Sequence, residues 1–416
     1  MRRISHRVLV PALVLVCLAG LSHPVSAAAS NGEPTVASWL AERTGSATAG
    51  ACSTPSQPAY YDERSLLVDE AEVGKLLGVA PDAVVNRVGQ GRWLEVRPSQ
   101  ATLNKFGKSA GKMADSLVKN AGFTSIEKNW LFLPAPHIFW SVTPPTPASS
   151  PPPAPSDPTV GGGVHIALLD TGSPVNGQAG MPTGVQLMTA PNATSASSPV
   201  PGHIVGVSDV AKRLAPGATI HAYDLTLDTG FLTEAAVIDW LYTHDYPVIN
   251  LSAGMYSCSF PTALYEAVKF ATQANGEVKS ILVAAAGNDS TAAASYPAAF
   301  GGDPVLGRSV VGVGATLGAF YQAAPQTALA SFSNTGNNMT ARAPGDQIVV
   351  NYPDVGGGLR PVYVSGTSFA APYGAGIVAC LLAQGVSPGS IAPSLAAQST
   401  LGLSSRLSAA DSCTRL

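Results

Sequence analysis

The chain has 416 residues, of which 46% are hydrophobic and 12% charged, with a net charge of -3. That length admits roughly two or three domains, and the composition is that of a folded, core-rich chain rather than a disordered one. The near-balanced charge excludes a global basic field for nucleic acid or for an anionic membrane.

Arg2, Arg3 and Arg7 precede the apolar run Val8–Leu21, which Pro11 interrupts, and Val25-Ser26-Ala27 then supplies small residues. This reads as a secretory signal over residues 1–27, too short for a spanning helix. It predicts a secreted or periplasmic protein, with no membrane attachment after signal removal. Cys17, inside that run, reads as apolar filler.

Residues 28–59 form a low-complexity segment rich in Ala, Ser, Thr and Gly, with a short helix expected at Thr35–Glu42. Residues 60–142 have the texture of a small α+β unit. Trp93–Val96 reads as a strand. Leu103, Phe106, Met113, Leu117 and Val118 give Leu103–Asn120 a helical pattern, Gly122 stops it, and Ser125–Leu133 is expected to be extended. The proline-dense stretch Thr143–Pro158 denies backbone donors and favours polyproline II, so residues 143–163 are expected to be a stiff, exposed linker.

From 164 to 416 the texture changes again. Apolar runs at Val164–Leu169, Thr219–Leu225, Val248–Ser252, Ile281–Ala286 and Val310–Val313 alternate with helical patterns at Thr233–Tyr242 and Pro261–Ala274. That alternation predicts an α/β domain, with a mainly parallel sheet flanked by helices and its active site at the carboxyl ends of the strands. Outside the signal, Cys52, Cys258, Cys380 and Cys413 allow three disulfide connectivities, which the sequence leaves open. Their spacing does not support a zinc site.

Three segments carry residues suited to chemistry. Asp170 follows the first strand, Asn288 follows the strand Ile281–Ala286, and Ser368 stands just before the helical stretch Tyr373–Ala383. A serine hydroxyl needs a neighbouring base to become a good nucleophile. At a helix start its oxygen sits near unpaired N–H groups that favour negative charge. An asparagine can donate a further hydrogen bond to that charge, and a buried aspartate can orient a histidine base. Taken singly, each residue also fits a bland reading: Asp170 as a turn cap, Asn288 as a left-handed turn residue, Ser368 as an N-cap. His165, on an apolar strand, reads as a core histidine, and His221 and His244 as surface or structural residues. Asn192, Asn250, Asn288 and Asn338 open glycosylation-type triplets, to which no weight is given.

Together these segments resemble the subtilases, the subtilisin-like serine peptidases. GTSFAAP around Ser368, LLDTG around Asp170 and VAAAGN ending at Asn288 resemble the family's serine, aspartate and oxyanion motifs. VINLSAG, LAPGA, SFSNTG and RAPG add matches in family order. The resemblance covers Val164 to about Gln384. It implies a subtilisin-like fold and a serine endopeptidase with Asp170, His203 and Ser368 as catalytic residues and Asn288 at the oxyanion. It further implies that Ser252, Ala253 and Gly254, with Ala285, Ala286 and Gly287, line the pocket for the residue before the cut. That lining carries no charge, so a small or hydrophobic residue is expected there. The histidine motif departs from the family pattern: Gly202-His203-Ile204-Val205 stands where H-G-T-H is usual, and two alignments compete. One makes His203 the base; the other puts Val200 in its place.

The resemblance also implies that residues 60–142 act as an inhibitory propeptide, with Ser125–Leu133 lying in the cleft as a substrate would. The partners are then protein or peptide substrates and the chain's own propeptide. Catalysis needs no cofactor, and structural calcium is a family trait with no placeable site here. If Cys52 left with the propeptide, one of the other three cysteines would be unpaired unless Cys52 bridges the two parts. Two other readings stay open. One is a binding protein on a subtilase fold without catalysis; the other is a sedolisin-type acid peptidase.

Overall fold

In the computed structural model, residues 47–50, 59–134, 158–174, 177–189, 202–226, 232–317, 328–353 and 359–400 are described. The expected signal, the helix at Thr35–Glu42, most of the linker, Cys17, Cys52, Cys413, Asn192 and Val200 lie outside them.

The front unit comprises β1 (Ala47–Gly50), β2 (Ala59–Asp69), α1 (Glu70–Val79), β3 (Val84–Arg87), β4 (Trp93–Arg97), α2 (Gln100–Lys105), α3 (Ala110–Ala121) and β5 (Ile126–Pro134). Its helices start where short polar side chains cap them: Asp69 accepts from Ala71 N–H at 2.8 Å and Ser109 from Lys112 N–H at 3.2 Å. Gly122, with φ of 63°, ends α3 in the left-handed conformation that glycine adopts without a Cβ penalty. The strands pair antiparallel in the order β5-β2-β4-β3. Leu66, Val68 and Val96 on one face bury against Met113 and Leu117 of α3.

Two expectations change here. The strand β1 comes from the segment read as low-complexity, and it pairs with Ala59–Asp62 of β2. The single helix expected at Leu103–Asn120 is instead α2 and α3, separated at Gly107, whose φ is +76°.

The second unit follows as β6 (His165–Asp170), β7 (Val185–Thr189), α4 (His203–Leu214), β8 (Thr219–Asp224), β9 (Leu232–Thr233), α5 (Glu234–Thr243), β10 (Val248–Leu251), β11 (Ala253–Gly254) and α6 (Thr262–Thr272). After the short pair β12 (Gln273–Ala274) and β13 (Glu277–Val278) come β14 (Ile281–Ala285), β15 (Val310–Leu317), β16 (Ala341–Asp346), the hairpin β17 (Ile348–Pro353) and β18 (Leu359–Val364), α7 (Thr367–Ala383) and α8 (Pro388–Thr400). Seven strands form one parallel sheet in the order β16-β15-β14-β10-β6-β8-β7.

Both faces of this sheet are covered, which is why its strands read as near-continuous apolar runs. Ile166 and Leu168 of β6 join one core with α4 and α7, while Ala167 and Leu169 join the other with α5 and α6. Each fully buried leucine or isoleucine there contributes roughly 1.5–3 kcal/mol relative to exposure. His165, expected in the core, is exposed at the amino end of β6. The first residue of a strand need not share the burial of the rest. Its ring lies 5.9 Å from that of His221, whose Nδ1 is 2.6 Å from the Tyr246 hydroxyl.

The second core also takes Tyr61, Leu67, Trp93 and Trp130 from the front unit, so the two units share buried apolar surface. Gly89 and Gly91 permit this approach, because a Cβ on either would lie within 2.3 Å and 2.5 Å of the Tyr242 side chain. Arg92 pairs with Glu266 through two contacts of 3.0 Å and 2.6 Å across the same surface. Cys258, before α6, and Cys380, in α7 on the other face of the parallel sheet, are each disulfide-bonded. Among the described residues no helix is long and apolar enough to cross a membrane.

Candidate active site

The carboxyl ends of β6 and β14 and the start of α7 meet at one place. Asp170 is the last residue of β6, and its Oδ1 accepts from Thr171 N–H at 2.7 Å. The turn after it holds α4 in place: Gly202 N–H donates to the Gly172 carbonyl at 2.7 Å and Ile204 N–H to the Thr171 carbonyl at 3.2 Å. His203 is thus the first residue of a helix whose end is fixed to the Asp170 turn. Gly202 has a φ of +78°, and a Cβ there would meet Pro353 at 2.6 Å and Tyr352 at 2.9 Å. That position demands glycine twice, by conformation and by space.

The His203 Nδ1 lies 2.7 Å and 2.9 Å from the two Asp170 carboxylate oxygens, and its Nε2 lies 3.1 Å from Ser368 Oγ. All three residues are fully buried in the full-length chain. Burial raises the Asp170 carboxyl above its ordinary range, while the imidazole and the Thr171 N–H oppose that rise. Phe369 packs beside the His203 ring, 5.4 Å between centroids.

Ser368 is the second residue of α7, which starts six residues before the helical stretch read from Tyr373. Pro372 lies inside that helix and has no N–H to give to the Ser368 carbonyl. Ser252 fills the vacancy, its hydroxyl donating to that carbonyl at 2.8 Å, and Asn250 Nδ2 in turn donates to Ser252 Oγ at 2.9 Å. The proline in the serine motif and the serine after β10 therefore work together to set the first turn of α7. Ser252, expected to line a pocket, uses its hydroxyl within the buried scaffold.

Asn288 follows β14, and its side-chain oxygen accepts from Thr367 N–H at 2.9 Å and from Thr367 Oγ1 at 2.7 Å. The orientation leaves Asn288 Nδ2 buried and without a hydrogen-bond partner. An orphaned buried donor is costly, typically about 1–3 kcal/mol, so a fold that retains one points to a use for it. An ideal Cβ on Gly366 would lie 3.0 Å from Ser368 Oγ and 3.3 Å from Asn288 Nδ2. The serine oxygen and the free donor thus face one small space that a glycine keeps open.

Ala253 and Gly254 form the edge strand β11, whose partners are Pro134 and Leu133 of the front unit. Ala285 ends β14, Ala286 N–H donates to the Val313 carbonyl, and Gly287 N–H donates to Thr367 Oγ1 at 3.1 Å. On the opposite side of β5, Leu131 and Phe132 pair antiparallel with Thr233 and Leu232 of β9. The front unit's last strand therefore lies between β9 and β11 and leads toward Ser368.

Sequence reasoning missed four contributors. Thr367 links Asn288 to Gly287. Asn334 holds the Asn288 turn by accepting from Asp289 N–H at 2.9 Å and donating to the Ala286 carbonyl at 3.0 Å. Tyr352 is buried against Gly202 and Gly206. Asp224 accepts from Ser173 N–H at 2.9 Å and steadies the turn after Asp170. The first two lie inside motifs already noted, GTSFAAP and SFSNTG; the other two carry no local signal. Among the described residues no group of three or more His, Cys, Asp or Glu side chains is placed to hold a metal ion. Asn250, Asn288 and Asn338 are fully buried, so the folded chain offers no glycan site at those three positions.

The profile of the Subtilase family matches residues 192–393, a span that includes His203, Asn288 and Ser368. The chain belongs to the subtilase family. M-protease of Shouchella clausii (strain KSM-K16) is 27% identical over 228 residues, 53% of this chain and 54% of that protein. Subtilisin Savinase of Lederbergia lenta is 27% identical over 228 residues, 53% of this chain and 76% of that protein. The thermophilic serine proteinase of Bacillus sp. (strain AK1) is 38% identical over 138 residues, 33% of this chain and 28% of that protein. The matched part of this subtilase thus spans about half the length of M-protease. Among solved structures, fervidolysin from Fervidobacterium pennivorans, described as a keratinolytic enzyme related to subtilisin, superposes with a TM-score of 0.55. That superposition covers 78% of this chain and 55% of fervidolysin at 21% identity, a likeness of fold.

Proposed function

We propose that this subtilase is an exported serine endopeptidase made as a zymogen. The observation that carries the reading is the hydrogen-bonded line Asp170–His203–Ser368 beside an unpartnered Asn288 donor. Ser368 Oγ attacks the peptide carbonyl while His203 Nε2 takes its proton; His203 then protonates the leaving amine. Asp170 holds the imidazole in the tautomer with hydrogen on Nδ1 and stabilises the imidazolium. Asn288 Nδ2 and the Ser368 backbone N–H receive the oxyanion, and water hydrolyses the acyl-enzyme by the reverse sequence. The alignment with His203 as base is the one this line supports.

Substrate is expected to bind as an added strand between β9 and β11, the place β5 holds in the full-length chain. The front unit accordingly serves as an inhibitory propeptide, and residues 135–163 contain the cut that frees the cleft. The family supports protein substrates, and export rests on the N-terminal signal pattern.

Incubating the purified, processed protein with an unstructured protein and a peptide library across pH 4–10 tests the reading. We expect hydrolysis at neutral to alkaline pH, with a small or hydrophobic residue before the cut. An acid optimum would favour the sedolisin-type alternative. Strict cleavage after lysine or arginine would contradict the uncharged lining by Ala253, Gly254, Ala285, Ala286 and Gly287. No hydrolysis at any pH would leave a binding role.

A further inference from the structure

The interface between the front unit and the peptidase unit contains two buried carboxyl groups, one from each side. Glu127 of β5 reaches the amino end of α6, where its Oε1 accepts from Thr262 N–H at 3.1 Å. Glu234, the first residue of α5, is fully buried, and its Oε2 accepts from Trp130 N–H of β5 at 3.4 Å. The other oxygen of each group, Glu127 Oε2 and Glu234 Oε1, is buried with no hydrogen-bond partner. Two ionised carboxylates with orphaned oxygens in one dry interface would repel each other and remain unsolvated. A proton on one of them removes a charge and turns one orphaned acceptor into a donor.

Neither carboxyl has an ion-pair partner among the described residues. Of the charged groups on the surrounding elements, Lys269 is exposed in the last turn of α6, far from its amino end, and others are engaged elsewhere. Arg92 binds Glu266 and Asp69, Arg97 binds Glu95, and Lys128 of β5 binds Asp115. Glu266 of α6 adds negative potential at Glu127. The N–H groups at the start of α6 favour anionic charge there, but they serve both carboxyls and do not offset their burial. Burial accordingly pushes Glu127 up to about 7, opposed by its hydrogen bonds to Thr262 and Ala263. Burial, then the Glu127 charge, holds Glu234 well above the ordinary carboxylate range.

We propose that Glu127 and Glu234 form a proton-dependent latch: the front unit is held on the peptidase unit while this pair carries a proton, and loosens when both carboxyls ionise. The inference deepens the zymogen reading and rests on it for its biological meaning, though the latch itself is a property of the interface. Its sign follows from linkage. Closed, Glu127 binds its proton at about 7 and Glu234 also holds its proton well above the ordinary carboxylate range; opened to water, each carboxyl returns to its ordinary range near pH 4.5. The closed form therefore holds more protons between these values. Closure tightens as pH falls through 7 and gains nothing further below the ordinary carboxylate pKa. It weakens as pH rises through 7, and the full loosening is reached above it.

The test is hydrogen exchange followed by mass spectrometry on the full-length Ser368→Ala protein, which cannot cut its own linker. The readout is the protection factor of the β5 amides, corrected for the intrinsic pH dependence of exchange. The latch predicts that protection falls by about thirtyfold between pH 5.5 and 8.5. In Glu127→Gln and in Glu234→Gln, which supply the donor permanently, this fall should shrink to a few-fold or less while the core strands β10 and β14 stay protected. Equal protection of β5 at both pH values in the parent, or an unchanged fall in both glutamine proteins, overturns the latch. If β5 is unprotected at every pH, both the latch and the inhibitory docking of the front unit fail. A pH-independent but strongly protected β5 rejects the latch alone and leaves the zymogen reading standing.

Discussion

Replacing Ser368 or His203 with alanine is expected to abolish hydrolysis, leaving only the roughly 10³–10⁴-fold advantage over water that oxyanion binding and substrate docking supply. The two substitutions should be nearly as damaging alone as together, because nucleophile and base act as one unit. Their structural consequences differ. Ser368→Ala removes one hydroxyl whose described bond is to His203, so its melting temperature should stay close to that of the parent. His203→Ala leaves the Asp170 carboxyl buried without the imidazole and relying on the Thr171 N–H. That protein should remain folded but lose stability, with a destabilisation on the order of 3–5 kcal/mol as an upper range for an unpaired buried charge. Undiminished turnover by folded His203→Ala protein would shift the base elsewhere and reopen the alignment through Val200.

The second large effect concerns Asn288. Its oxygen is committed to Thr367, while its amide nitrogen has no partner in the resting chain. A donor that meets its acceptor only when the carbonyl becomes an oxyanion lowers the barrier without tightening substrate binding. Asn288→Ala should therefore reduce kcat by about 10²–10³-fold with little change in KM, the range subtilisin shows on losing its asparagine donor. A change confined to KM would mean that Asn288 touches substrate in the ground state. Asn288→Asp separates the two functions of the side chain. It keeps an acceptor for Thr367 but puts negative charge where the donor was, so kcat should fall at least as far.

The strands that carry the site were legible because a two-faced parallel sheet forces long apolar runs, and the residues ending those runs stand out. Asp170 and Asn288 were found this way, and Ser368 by its motif. The path of β5 was legible as an extended tail, but its neighbours β9 and β11 were not. Each is only two residues long and has no pattern of its own. The sequence showed the Ile204-Val205 departure but not how the fold accommodates it. Both side chains are buried in the core, and close approach is carried by other glycines. Gly206 lets Phe369 and Tyr352 come within 3.0 Å and 3.2 Å of where a Cβ would stand, and a Cβ on Gly376 of α7 would lie 2.4 Å from the Leu214 side chain of α4. Such compensation depends on residues between 146 and 163 positions apart, which no local reading can pair. The burial of Glu127 and Glu234 in one interface was hidden for the same reason: each residue looks like an ordinary surface glutamate until two units are brought together.

The central claim is that Ser368 is the activated nucleophile of a hydrolase whose cleft the front unit covers. Labelling with a fluorophosphonate probe, followed by peptide mapping of the modified residue, tests it most directly. The account predicts a single adduct, on Ser368, formed rapidly in protein freed of residues 1–163, slowly in the full-length chain, and not in His203→Ala. An adduct on another serine, or none on folded, processed protein at neutral pH, would contradict it.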